Sequence, residues 1–298
     1  MRISFWPGPM QPYSDALELA KHVEATGWDG FWYADHFMPN AEDASGPHHE
    51  VWTILTAIGV QVPRIRIGTP VAGNTYRHPA VLAKMAATLD QVTDGRVVLG
   101  LGAGWQENEH KAYGIPFYTV SERLRRLDEA CQIIQGLLRE ERTSFAGEFY
   151  QLDDAPLAPK PVQLPLLVGG GGEKVTLRIV AQHADEWNVW GDVDTLRHKI
   201  QILEKHCADV GRDPSQIQRS AVAMLFLNDD PEFCAKLRQS GGASRMIIGN
   251  VEEVREILRG YAALGVDELI IPDFNLGKMQ AKRAALDRFM TEVVAAVR

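Results

Sequence analysis

Cysteine is scarce in this sequence of 298 residues. The three present, Cys131, Cys207 and Cys234, form no CxxC spacing. Cys131 and Cys207 fall on apolar helix faces, where a thiol behaves as a small hydrophobe. A disulfide framework is therefore excluded, and a reducing, cytoplasmic location is expected. Long apolar runs are also missing. No stretch approaches the ~20 apolar residues of a membrane helix, and the start, Met1-Arg-Ile-Ser-Phe-Trp-Pro7, lacks the apolar core of a signal peptide. Positive charge is in deficit: 31 Lys and Arg against 39 Asp and Glu give a formal charge of −8. That balance argues against wrapping nucleic acid non-specifically, although a local site can still attract an anion.

Several catalytic signatures are absent as well. No three His, Asp or Glu stand at zinc-ligand spacing, so no metal is expected. There is no G-x-S-x-G nucleophile elbow. Gly100-Leu-Gly-Ala-Gly104 misses the G-x-G-x-x-G dinucleotide fingerprint, which would need glycine at Trp105 or Glu107. No lysine closes a strand except near Lys174, after a glycine run, which disfavours a Schiff-base aldolase.

What is present is alternation. Short β-type runs at 2–6, 30–34, 65–71, 96–101, 164–169, 186–190, 218–227 and 267–272 alternate with amphipathic stretches. The stretch after the first run has Ser14 as its candidate N-cap and ends at Gly27. The stretch after the second carries Val51, Ile54, Leu55, Ile58 and Val62 at helical spacing. Strands separated by helices pair in parallel, because each crossover returns the chain to the same end. Eight such units predict an α/β fold: a single (β/α)8 TIM barrel over residues 1–298, with insertions in the loops at the C-terminal strand ends. An open doubly wound sheet is the alternative. The connections 37–48, 102–120 and 228–249 are too long to be simple turns. Residues 140–164 read as a small structural hairpin.

A barrel carries its site at the C-terminal strand ends. Those ends hold Trp6, Asp35-His36, Thr69-Pro-Val-Ala-Gly-Asn74, Gly102-Ala-Gly-Trp105, Gly169-Gly-Gly-Gly172 and Trp190. His36 with Asp35 is the best candidate catalytic pair, since imidazole exchanges protons near neutral pH. Gly169, Gly170, Gly171 and Gly172 are read as opening a helix, where bare backbone N–H groups suit a phosphate. His48 and His49 read as surface-loop residues.

Taken together, the rim segments resemble the luciferase-like monooxygenase superfamily, and within it the deazaflavin (coenzyme F420) dependent oxidoreductases. The matching stretches are Gly27-Trp-Asp-Gly-Phe-Trp-Tyr-Ala-Asp-His36, Ile67-Gly-Thr-Pro-Val71, Tyr76-Arg-His-Pro79 and Gly95-Arg-Val-Val-Leu-Gly-Leu-Gly-Ala-Gly-Trp105. Later matches are Glu107-Asn-Glu109 with Gly114, Pro165-Leu-Leu-Val-Gly-Gly170, Ala184-Asp-Glu-Trp-Asn188 and Gly265-Val-Asp-Glu-Leu-Ile270.

The resemblance implies hydride transfer between F420 and a small organic substrate, with His36 as proton relay and Asp35 orienting it or touching the ring. An FMN-dependent monooxygenase on the same barrel is the alternative, and a non-catalytic cofactor carrier a third. Pro70, Val71, Ala72, Asn74, Ala103 and Gly104 would contact the cofactor's ring or ribityl chain, and Gly169 to Gly172 its phosphate. Trp6, Trp105 and Trp190 would wall a substrate pocket. Glu109 is often a structural acid in this family. The family also carries a bulge with a cis peptide after the third strand, which falls here at Pro70–Val71, with Thr69–Pro70 as a competing site. The apolar rim suggests a substrate without high charge. No nucleic acid or membrane partner is expected, and a homodimer is the family's association.

Overall fold

Period-2 alternation sends one set of side chains from each short run into a closed sheet and the other set outward beneath helices. The computed structural model describes residues 1–298. Its first half holds β1 (Arg2–Trp6), α1 (Tyr13–Ala25), β2 (Gly30–Trp32), α2 (Val51–Gly59), β3 (Arg66–Gly68), β4 (Ala72–Gly73), α3 (Pro79–Val92), β5 (Val97–Gly102), α4 (Glu107–Tyr113) and α5 (Val120–Arg139). An antiparallel hairpin, β6 (Arg142–Ala146) and β7 (Gln151–Pro156), follows. Then come β8 (Leu166–Gly169), α6 (Thr176–His183), β9 (Glu186–Trp190), α7 (Val193–Asp209), β10 (Gln218–Val222), β11 (Met224–Leu227), α8 (Pro231–Arg238), β12 (Met246–Gly249), α9 (Val251–Ala263), β13 (Glu268–Pro272) and α10 (Met279–Arg288).

Parallel pairings run β3–β2–β1–β13–β10–β9–β8–β5, and a β3–β5 pairing closes the ring. This is the predicted barrel of eight parallel strands. β4 continues the line of β3 after a break at 69–71 and pairs with β5.

The structure corrects several local readings. The run 218–227 is two strands: β10 lies in the barrel, whereas β11 leaves it and pairs in parallel with β12. Together with β11, the α8 and β12 of the connection 228–249 therefore form a ninth βα unit outside the barrel. Asp230 caps its helix through Glu232 N and Phe233 N, with Pro231 at the first helical position. The connection 102–120 likewise contains α4, which ends at Gly114 in the left-handed conformation (φ 67°). Ser14 is not a cap: α1 begins after Pro12, and the Ser14 hydroxyl bonds Asp15.

The packing has two shells. Between barrel and helices lies a core of 62 buried residues. Inside the barrel, Trp32, Val98, Leu167, Val222 and Ile270 form a separate cluster, with Trp6, Val71 and Trp190 packed against it. At the N-terminal strand ends the interior is polar. Glu268 is fully buried and accepts from Ser4 Oγ (2.5 Å), Trp32 Nε1 (2.8 Å), Arg2 Nε (3.3 Å) and Arg66. Arg66 also pairs with Glu186 at 2.7 Å. The opposite end is left for chemistry.

The break at Thr69-Pro-Val71 shapes that end. Both peptide bonds flanking Pro70 are trans; the cis bond of this chain is Ala158–Pro159. The expected cis peptide after the third strand is thus absent, and the bulge is held by packing instead. Thr69 Oγ1 donates to Gly100 O at 2.9 Å. A Cβ on Gly100 would stand 1.9 Å from the Thr69 carbonyl oxygen, and Cβ atoms on Gly102 and Gly169 would stand 2.6 and 2.7 Å from the Val71 methyls. The glycines are the hollow into which the bulge fits. Gly100→Ala is expected to destabilise the chain by about 1–3 kcal/mol through overpacking against backbone, read as a lowered urea midpoint with unchanged slope.

Candidate active site

A cavity of about 550 Å³ opens at the C-terminal strand ends. Of the residues singled out in the sequence, Trp6, Asp35, His36, Pro70, Val71, Ala72, Ala103, Gly104, Trp105, Gly169, Gly170, Gly171 and Trp190 all line it. Asn74 and Gly172 do not. Asn74 is buried behind the wall, its Nδ2 donating to Tyr150 OH at 3.3 Å and its Oδ1 without a partner.

His36 follows β2, and its partner comes from a helix hidden in the 102–120 connection. His36 Nδ1 lies 2.8 Å from Glu109 Oε1. A carboxylate only accepts, so Nδ1 carries the proton and Nε2 remains for the cavity. Glu109 is fully buried. It also accepts from Phe37 N at 2.7 Å and from the Tyr76 hydroxyl. Burial opposes its charge, but the donors from His36, Tyr76 and Phe37 outweigh burial and hold the carboxyl below its ordinary value. Glu109 is thus an anion that fixes the ring's tautomer and plane.

Asp35 has a different role from the one expected. It does not orient His36. Its carboxylate takes a two-pronged bond from Arg77 (2.8 and 3.0 Å) and Gly73 N–H at 3.1 Å. Burial pushes the Asp35 carboxyl upward, against the pull of the Arg77 guanidinium. Arg77 also reaches Glu50 at 2.6 Å, and Glu50 caps α2 through Trp52 N and Thr53 N. One guanidinium thereby fastens both ends of the loop between His36 and α2.

The glycine segment needs correction too. Helix α6 does not begin at the glycines: Glu173, Lys174 and Val175 intervene, and the first helical residue is Thr176. Gly169 ends β8 against Val71. The Gly170 N–H is spent on Asn188 O at 2.9 Å. Gly172 is exposed outside the cavity. Bare backbone at a helix start is therefore not the main anion feature here. Lys199 from α7 and Arg245 from the segment before β12 line the cavity and bring two cations to its rim. The rim is less apolar than its strand-end residues alone imply. Lys199 is also bonded to Glu173 at 2.5 Å.

Aromatic walls complete the site. Trp6 packs against Trp190 with ring centres 5.8 Å apart. Trp105 is 60% exposed and stands edge-on to His36 at 5.3 Å. His48 is no free surface residue. Its ring centre lies 6.4 Å from that of His36, and both its nitrogens are buried without partners. Burial pushes its imidazole down, and the nearby His36 adds to this. Glu109, Tyr76, Arg77, Lys199 and Arg245 were missed as site residues. Tyr76-Arg-His-Pro79 and Glu107-Asn-Glu109 stood among the resembling stretches, but only the fold brings them to His36.

Comparisons with known proteins agree with this architecture. The family profile described as luciferase-like monooxygenase matches residues 1–237. An F420-dependent glucose-6-phosphate dehydrogenase from Kineococcus radiotolerans is 40% identical over 220 residues, 72% of this chain and 64% of that protein. The chain thus covers less than two thirds of that relative's length. An FMNH(2)-dependent dimethylsulfone monooxygenase from Pseudomonas putida is 27% identical over 286 residues, 84% of this chain and 77% of that protein. Among solved structures, an F420-dependent secondary alcohol dehydrogenase in complex with an F420-acetone adduct superposes with a TM-score of 0.85 at 23% identity, covering 100% of this chain and 99% of that one. A profile match across most of the sequence places the chain in the luciferase-like monooxygenase family.

Proposed function

We propose that this chain is an F420-dependent oxidoreductase that transfers a hydride between the deazaflavin and an organic alcohol or carbonyl compound, with His36 handling the proton. The observation that carries the reading is a single one: His36 is held through Nδ1 by a buried anion, which leaves Nε2 without a partner in the chain, and lines a large, aromatic-walled cavity.

The residues present fit a flat, phosphorylated cofactor. Val71, Ala72 and the backbone of Gly102 and Gly169 offer an uncharged ledge at the cavity floor. Lys199 and Arg245 suit an anionic tail. When bound, the deazaflavin supplies a carbon that accepts or gives a hydride. Everything else belongs to the chain. His36 Nε2 takes the proton released at the substrate's oxygen, or returns it in the reverse direction. Glu109 stabilises the imidazolium that forms. Trp6, Trp105 and Trp190 exclude water and orient the substrate. The likeness to the FMNH(2)-dependent monooxygenase, over 84% of this chain, supports a second reading, an FMN-dependent monooxygenase.

Fluorescence titration separates the two. Saturable quenching with F420, and none with FMN, is the expected result; binding of FMN alone would overturn the first reading. His36→Gln is expected to lower turnover about 10²- to 10⁴-fold while leaving cofactor affinity near that of the wild type. Undiminished turnover in that variant would remove His36 from the mechanism.

The pH dependence of stability has a defined sign. Glu109 is held below its ordinary value of 4.5. The unfolded chain therefore binds more protons than the folded one in that range, so stability rises with pH there. Its contribution is present above pH 4.5 and is lost as the pH falls through the lower folded value. Urea unfolding of the wild type and Glu109→Gln is expected to differ most near neutrality and to converge in acid.

A further inference from the structure

We propose that Tyr76 is a positioning residue whose hydroxyl weakens the hold of Glu109 on the His36 imidazolium, and so keeps the ring's proton exchangeable. The proposal rests on His36 being the proton-handling group and concerns what sets its affinity.

The two donors meet on one atom. His36 Nδ1–H and the Tyr76 hydroxyl both donate to Glu109 Oε1, while Phe37 N–H takes Oε2. Each donor draws charge from the oxygen it binds. An imidazolium facing an unshared carboxylate oxygen would be stabilised more, and would retain its proton to higher pH. Sharing Oε1 with a phenol reduces that stabilisation without removing the anion.

The phenol is aimed by packing and not by Glu109 alone. Its ring stands 4.8 Å from Phe37 and 4.9 Å from His110. Gly73 makes room for it: a Cβ there would lie 2.5 Å from the Tyr76 ring. Burial and the Glu109 charge push the phenol far above its ordinary range, so it remains a donor throughout the working pH. The other groups facing His36 are few. Glu109 comes from α4, Tyr76 from the connection between β4 and α3, and His48 from the loop after β2. Asp35 and Arg77 neutralise each other beside them, and Trp105 carries no charge.

Histidine ¹⁵N NMR titration of the full-length chain, without added ligand, reads the midpoint of His36 directly, with His36→Gln identifying its signal. Tyr76→Phe keeps the ring and removes the donor, and is expected to raise the His36 midpoint by about 0.5–1 pH unit. Gly73→Ala, which displaces the Tyr76 ring, should move it in the same direction, and Glu109→Gln in the opposite one. A midpoint in Tyr76→Phe that falls, or that stays within about 0.2 of the wild type, overturns the proposal. The readout needs no cofactor, so failure to bind F420 would count against the functional reading alone.

Discussion

A carboxylate removed from water must be saturated with donors, and in this chain that requirement ties distant segments together. Glu268 at the closed end of the barrel draws in Ser4, Trp32, Arg2 and Arg66 from three other strands. Near the mouth, Glu109 gathers His36, Phe37 and Tyr76, and Asp35 gathers Arg77 and Gly73. Asp273 after β13 holds Gly8 N at 2.6 Å and Lys282 at 2.5 Å. Such groups cost desolvation and are weak evidence of net stability. Their effect here is registration, since each admits only the arrangement in which all its donors arrive together.

Between these polar layers the interior narrows to a few large side chains, and glycine does the spacing. By sequence alone, the glycines at the strand mouths are bare backbone open to a ligand. Gly102 and Gly169 instead accommodate Val71, and Gly100 accommodates the Thr69 carbonyl. They serve the ligand at one remove, by letting a bulge push Val71 into the cavity floor.

Much of the architecture was legible because alternation and period are local properties. Eight strands, their parallel pairing and the position of the site follow from runs that can be counted along the chain. The antiparallel hairpin at 140–164 was legible for the same reason. The ninth βα unit was not. β11 follows β10 with only Ala223 between them, so one apolar run conceals a change of sheet. At the site, strand-end residues such as His36 and Trp190 were readable because barrel geometry assigns them a place. Glu109, Tyr76 and Lys199 were not, because they stand on helices or connections whose approach to the mouth is set by packing. The pairing of Asp35 with Arg77, rather than with its neighbour His36, illustrates the limit: adjacent residues after a strand point apart.

The unit formed by β11, α8 and β12 lies outside the ring of pairings that closes the barrel, yet the segment before β12 carries Arg245 to the rim. One of the two cations at the mouth is thus borne by an appendage whose strands share no ladder with the eight, the other, Lys199, by α7 of the barrel. The His36, Glu109 and Tyr76 cluster is built on elements of the barrel's first half, from β2 to α4. Remodelling the appendage therefore alters the charge that Arg245 brings to the mouth without touching the ladder of the barrel or the contacts of His36 with Glu109.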